Sequence, residues 1–134
     1  MSVSILVVDD EPDIVVLFRQ HFRHEARQGL YVLHFANSAQ EALQKLDRGI
    51  QPQPIVALSD INMPGMDGLS LLLEIKRQRP DLPVIMVTAY GDEDRRQQAN
   101  NYGAADFITK PVDFGVLKRQ LQHLSGPPNV KSIR

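Results

Sequence analysis

The chain has 134 residues, a formal net charge of -1 and no cysteine. That length fits one domain with a real buried core. The near-neutral charge without a basic run argues against a nucleic-acid binder, and the missing cysteine excludes disulfides and thiolate metal sites.

The first element is a run of apolar, mostly β-branched residues: Val3, Ile5, Leu6, Val7 and Val8. A continuous rather than alternating run suits a strand covered on both faces. No basic stretch precedes it and Asp9-Asp10 cuts it short, so it is not a signal peptide. No apolar run anywhere reaches membrane-spanning length, and a cytoplasmic location is the default expectation. Asp10 is placed as the N-cap of the next helix, with Pro12 in its first turn. Ile14, Leu17, Phe18 and Phe22 then recur at helical spacing, and Gly29 ends that region. Residues 31–36 read as a second strand. Ser38 followed by Glu41 is a capping-box pattern. Ala39, Ala42, Leu43 and Leu46 fall on one face of the short helix that follows.

Gly49, Pro52 and Pro54 break the chain before a third strand at 55–59. Asp60 stands at its end. Pro64, Gly65 and Gly68 shape the turn beyond, and both glycines read as sources of backbone freedom. A helix from roughly 67 to 79 would turn Leu69, Leu72 and Leu73 inward. A fourth buried strand over 84–87 ends at Thr88. The helix expected from roughly 92 to 102 is polar nearly all round, so little apolar packing should hold it. Gly103 stops it. Residues 106–109 form a short fifth strand, followed by Lys110-Pro111. The last helix carries Phe114, Leu117, Leu121 and Leu124 on one stripe. The division expected is a domain over 3–124 and a tail or linker start over 125–134.

Five strand patterns alternating with five helix patterns imply an α/β domain, with right-handed crossovers and helices on both faces of a parallel sheet. The doubly wound order for this count is 2-1-3-4-5. It makes the first and third strands neighbours, so Asp9, Asp10 and Asp60 converge at one sheet edge. The fourth and fifth strands bring Thr88 and Lys110 to the same edge. Three carboxylates in one pocket repel each other and need a cation. Oxygen-only donors favour Mg²⁺. A carboxylate nucleophile can accept a phosphoryl group as an acyl phosphate, a transfer governed by positioning and charge neutralisation. Mg²⁺ and the Lys110 ammonium would supply the positive charge, and the Thr88 hydroxyl a hydrogen bond to the phosphoryl oxygens.

With Val7-Val8-Asp9-Asp10-Glu11, the run Asp60-Ile61-Asn62-Met63-Pro64-Gly65-Met66-Asp67-Gly68, Thr88-Ala89 and Lys110-Pro111 in this order, the sequence resembles the receiver domain of two-component response regulators. The resemblance covers residues 3–124 and implies a flavodoxin-like (βα)5 fold. It implies that Asp60 takes its phosphoryl group from a phosphohistidine on a sensor histidine kinase or a histidine phosphotransfer protein. It implies Mg²⁺ held by Asp10, Asp60 and the backbone carbonyl of Asn62, with Asp9 acting through water. Thr88 and Phe107 would switch together, and Phe107, lacking a hydroxyl, would do so through burial of its ring. Asn62, Ala89 and Tyr90 would tune the lifetime of the acyl phosphate, the small Ala89 leaving the phosphoryl path open. The Lys110-Pro111 bond would be cis. The chemistry would be self-directed phosphotransfer and autodephosphorylation, not turnover of a diffusible substrate. The signal would pass to an output domain or a downstream protein, with a homodimer on phosphorylation as a further expectation. No charge pattern on the last two helices fixes such a dimer. No direct nucleic-acid or membrane contact is expected.

Two rivals remain. One is a phosphorylation-independent interaction module, which the intact set of Asp9, Asp10, Asp60, Thr88 and Lys110 opposes. The other is a phosphatase with an aspartyl nucleophile. It would need a second acid where Asn62 stands, and a cap domain that is not expected from these residues. Taken singly, Asp10 could be a helix cap, Asp60 a turn former, Thr88 a strand-end β-former and Lys110 a surface cation. The four together are not explained that way. His21, His24, His34 and His123 are scattered and read as surface or boundary residues.

Overall fold

The five apolar runs become the parallel strands β1 (Val3–Val8), β2 (Tyr31–Ala36), β3 (Pro54–Asp60), β4 (Val84–Thr88) and β5 (Asp106–Thr109), paired in the order β2-β1-β3-β4-β5. This computed structural model describes residues 3–51, 53–63 and 65–125. The breaker Pro52, the turn residue Pro64 and the tail beyond Ser125 lie outside the described residues. The helices are α1 (Pro12–His21), α2 (Arg23–Arg27), α3 (Ala39–Arg48), α4 (Gly68–Gln78), α5 (Glu93–Asn101) and α6 (Phe114–Ser125). Strand order and fold class are those expected from the sequence.

Side chains alternate across each strand and so divide the core in two. Leu6, Val8, Ala57 and Met86 face α3, α4 and α5. Ile5, Val7, Val56, Leu58, Ile85 and Val87 face Phe18 and Phe22 at one side and Phe114, Leu117 and Leu121 of α6 at the other. Each such large apolar side chain contributes roughly 1.5–3 kcal/mol when fully buried. By that measure α5 is weakly anchored: Ala99 is the residue it buries. Polar contacts take over. The Arg96 guanidinium lies 4.7 Å from the Phe107 ring centroid, and Arg95 reaches the β3–α4 loop.

Several local expectations are corrected. The stretch after β1 forms two helices, with the break at Phe22, whose φ of -106° and ψ of 8° leave helical geometry. Its fully buried ring stacks on Phe18 and meets Tyr31 and Phe114 edge-on. Glu11, not Asp10, occupies the N-cap position of α1, and its side chain makes no capping bond. The Asp9 carboxylate takes the Glu11 N–H instead, at 2.9 Å. Leu17 and Leu73 are exposed. On α4 the buried arc runs through Leu71, Leu72 and Ile75, and Leu73 falls outside it. The Ser38 hydroxyl accepts the Glu41 N–H as expected, but Glu41 returns its bond to the N–H of Asn37, one residue before the cap.

Candidate functional site

The site is built where the strands stop. Asp60 is the last residue of β3 and pairs in register with Val87 of β4. Thr88 ends β4 opposite Thr109. Lys110 follows β5, and its backbone N–H donates to the Thr88 carbonyl at 2.7 Å. Asp9 follows β1 and is tied to β2 through its N–H to Ala36. In a parallel sheet all these ends face one way, so the four residues share one edge. Three of them are buried polar residues, with Asp9 at 7%, Asp60 at 5% and Thr88 at 2% exposure.

The Lys110 ammonium sits among three carboxylates. It is 3.0 Å from Asp60 Oδ2, 3.4 Å from Glu11 Oε1 and 3.5 Å from Asp9 Oδ2. The other Asp60 oxygen accepts the backbone N–H of Asn62 at 3.1 Å. Burial pushes the Asp9 carboxyl above its ordinary range; the Glu11 N–H draws it back and the Asp60 charge adds to the rise. Burial alone would lower the Lys110 ammonium, but its bond to Asp60 and the surrounding carboxylates raise it.

Oxygens of Asp9, Glu11 and Asp60 lie within 4.8 Å of one another, a spacing that could hold a metal ion. Three negative groups against one ammonium leave the pocket negative, and the all-oxygen donor set fits a hard divalent cation such as Mg²⁺. Asp10 is exposed and stands outside this trio. Glu11 takes the third place, a role the sequence reading did not give it, although it belongs to the same acidic run.

The remaining expected residues flank the pocket. Asn62 turns its side-chain amide away, to both oxygens of Asp92 at 3.1 and 3.0 Å. The Ala89 N–H donates to Asp92 Oδ2 at 2.8 Å. Tyr90 is 99% exposed. Phe107 is half-buried in β5 beneath Arg96. The Lys110-Pro111 bond is cis. Two further residues were not foreseen, Asp92 and Arg95. Arg95 Nη2 donates to the Ile61 carbonyl and to Asp67 Oδ2, both at 2.9 Å.

Asp67 is thus shared between helices. It caps α4 by accepting the Ser70 N–H at 3.0 Å and pairs with Arg95 of α5. Burial pushes its carboxyl up, but the Ser70 N–H and Arg95 outweigh burial and hold it below its ordinary value. Asp67→Ala should therefore cost about 1–2 kcal/mol, mostly the lost cap, because a half-exposed ion pair adds little. A carboxyl lowered in the folded state contributes stability above its unfolded pKa and loses it as pH falls through the folded value. The gap between native and variant urea midpoints should be constant near neutrality and close in strong acid. A gap that persists there would contradict this account.

Fold and site define a class: a doubly wound α/β domain with an acidic pocket and one lysine at the carboxyl edge of its sheet. The chain belongs to the response regulator receiver domain family, whose model matches residues 5–122. It is 41% identical over 134 residues to the DNA-binding transcriptional regulator NtrC of Escherichia coli (strain K12), a match covering 97% of this chain and 27% of NtrC. The chain thus spans about a quarter of the length of that relative. The receiver domain of NtrX from Brucella abortus is similar in structure, with TM-score 0.77 and 35% identity over 90% of this chain and 96% of that one. The Vibrio cholerae chemotaxis protein CheY4 gives TM-score 0.80 and 25% identity, covering 92% and 99%. The chain is a receiver domain of two-component response regulators, a signalling domain. No helix among the described residues is long and apolar enough to cross a membrane.

Proposed function

We propose that Asp60 is the phosphoryl acceptor, and that phosphorylation there switches the domain between two signalling states. The observation that carries this is the Lys110 ammonium, 3.0 Å from a buried Asp60 carboxylate that ends its strand between Asp9 and Thr88. An Asp60 oxygen attacks the phosphorus of a phosphohistidine. The new O–P bond forms as the N–P bond breaks, and the imidazole nitrogen leaves with the electron pair. Lys110 holds the charge that develops, and the Thr88 hydroxyl donates to a phosphoryl oxygen. Mg²⁺ would neutralise the transferred group's charge. Asp9, Asp60 and the Asn62 backbone carbonyl are its proposed ligands. The family resemblance adds Asp10 and the structure offers Glu11.

Within this reading Thr88 and Phe107 form the switch, and Asn62, Ala89 and Tyr90 set how long the acyl phosphate survives before the domain dephosphorylates itself. The donor is a sensor histidine kinase or histidine phosphotransfer protein, which the domain meets in the cytoplasm. The readers are an output domain beyond a linker that follows α6, a downstream protein, or a second copy of the phosphorylated receiver.

The test is incubation with Mg²⁺ and a small acyl phosphate. The chain should gain the mass of one phosphoryl group, and an excess of chelator should prevent the gain. No labelling by either the acyl phosphate or a phosphohistidine donor would overturn the proposal. Turnover of free phosphate esters would favour the phosphatase instead.

A further inference from the structure

Asp92 stands at the N-cap position of α5, yet its side chain caps nothing. That is unlike Ser38 and Asp67, which accept the expected N–H groups of α3 and α4. Asp is among the best capping residues, so an idle cap means the carboxylate is engaged elsewhere. Both its oxygens accept from the Asn62 side-chain amide, and one also accepts the Ala89 N–H. These partners lie on the loops after β3 and β4, on either side of Asp60. Asn62 also gives its backbone N–H to Asp60. Asp92 therefore ties together the two loops that frame the proposed acceptor.

We propose that Asp92 is a latch that holds the resting state and releases it when the pocket gains a phosphoryl group; this rests on Asp60 being the acceptor. Two physical reasons support it. A phosphoryl group on Asp60 adds anionic oxygens beside a carboxylate, and like charges so placed repel. It also needs donors at the sheet edge, and the Ala89 N–H, next to Thr88, is occupied by Asp92 at 2.8 Å. The two anions compete for one donor. Once released, the Asp92 carboxylate has a second place to go: the free N–H of Asp94 or Arg95 in the first turn of α5. The residue thus has two sets of partners, one in the loops and one in the helix, and occupying one empties the other. That is a bistable element at the start of a helix that apolar packing holds only through Ala99.

Two variants separate a latch from a merely structural contact. Asp92→Asn keeps a good cap but loses the charge and one acceptor oxygen. Asp92→Ala loses latch and cap together. Beryllium fluoride with Mg²⁺ is the probe, a phosphoryl analogue that needs no donor protein. Removing a contact that must break anyway favours the bound state, so Asp92→Asn should bind the analogue about tenfold more tightly than the native chain. A structural contact would give the reverse. Without the analogue, the Ala89 amide should exchange about tenfold faster in Asp92→Ala. On adding the analogue to the native chain, an amide at Asp94 or Arg95 should gain protection that Asp92→Ala does not show. Tight native binding with equal or weaker binding by Asp92→Asn would overturn the latch alone, as would an unchanged Ala89 exchange rate. A native chain that binds no analogue at all would overturn the Asp60 reading and the latch with it.

Discussion

Asp60→Asn should take up no phosphoryl group under conditions that label the native chain, and it should fold about as stably. The first half follows from chemistry. An amide oxygen is not a nucleophile toward phosphorus at neutral pH, and the other carboxylates of the pocket do not stand where Asp60 stands. Asp9 follows β1 and is tied to Glu11 by its own hydrogen bond; Glu11 is exposed. The second half follows from the company Lys110 keeps. Removing one partner of a buried ion pair costs several kcal/mol when it strands the other charge. Here Lys110 retains Asp9 at 3.5 Å and Glu11 at 3.4 Å, so it is not stranded. The carbonyl oxygen of the introduced amide can still accept the Asn62 N–H, and repulsion among the carboxylates falls. The net change in stability should stay within about 1 kcal/mol. Mass spectrometry after acyl-phosphate treatment and a urea midpoint check the two halves separately. Residual labelling at native stoichiometry would place the acceptor elsewhere. Lost labelling with a collapsed midpoint would make Asp60 a structural residue instead.

What the sequence disclosed depended on how local the cause was. Strand order followed from continuous apolar runs separated by helical ones, and parallel strands oblige their ends to share an edge. Asp9, Asp60, Thr88 and Lys110 were therefore readable, because each marks the end of a strand. The residues around them were not. Asp92 meets Asn62 across 30 positions of chain, and Arg95 meets Asp67 across 28. No periodicity links those residues; the loops meet only once the sheet has formed. Glu11 was hidden differently. Capping preference pointed to Asp10, but the buried Asp9 carboxylate took the Glu11 N–H and moved the helix start along by one. Leu73 failed because three consecutive leucines cannot all lie on one narrow helical face. The turn glycines were read as equivalent, and the structure separates them.

Gly65→Ala and Gly68→Ala should differ sharply, though Gly68 opens α4 only three residues after Gly65 in the preceding turn. Gly65 has a φ of 74°, and an added Cβ would meet only the far end of Gln40, at 3.9 Å. Its substitution should cost about 1–2 kcal/mol in backbone conformation and leave Asp60 where it is. Gly68 does not need an unusual φ; it needs emptiness. A Cβ there would lie 2.2 Å from the Asp60 carbonyl oxygen and 2.7 Å from Ile61 Cα. Both are backbone atoms at the end of β3, held by the Ile61 N–H to Val87 and by the Gly68 N–H to Ile61. No side chain can swing aside. Either α4 draws back from the sheet, loosening Leu71, Leu72 and Ile75, or the end of β3 moves and takes Asp60 with it. Overpacking of this kind costs about 3 kcal/mol or more when the backbone must yield. A shift of about 1 Å in a reacting group can slow transfer about a hundredfold. Gly68→Ala should thus lower the urea midpoint more than Gly65→Ala and also slow phosphoryl labelling, which Gly65→Ala should leave near the native rate. Equal losses in both variants would mean that backbone freedom, rather than the close approach of α4 to Asp60, is what the loop requires.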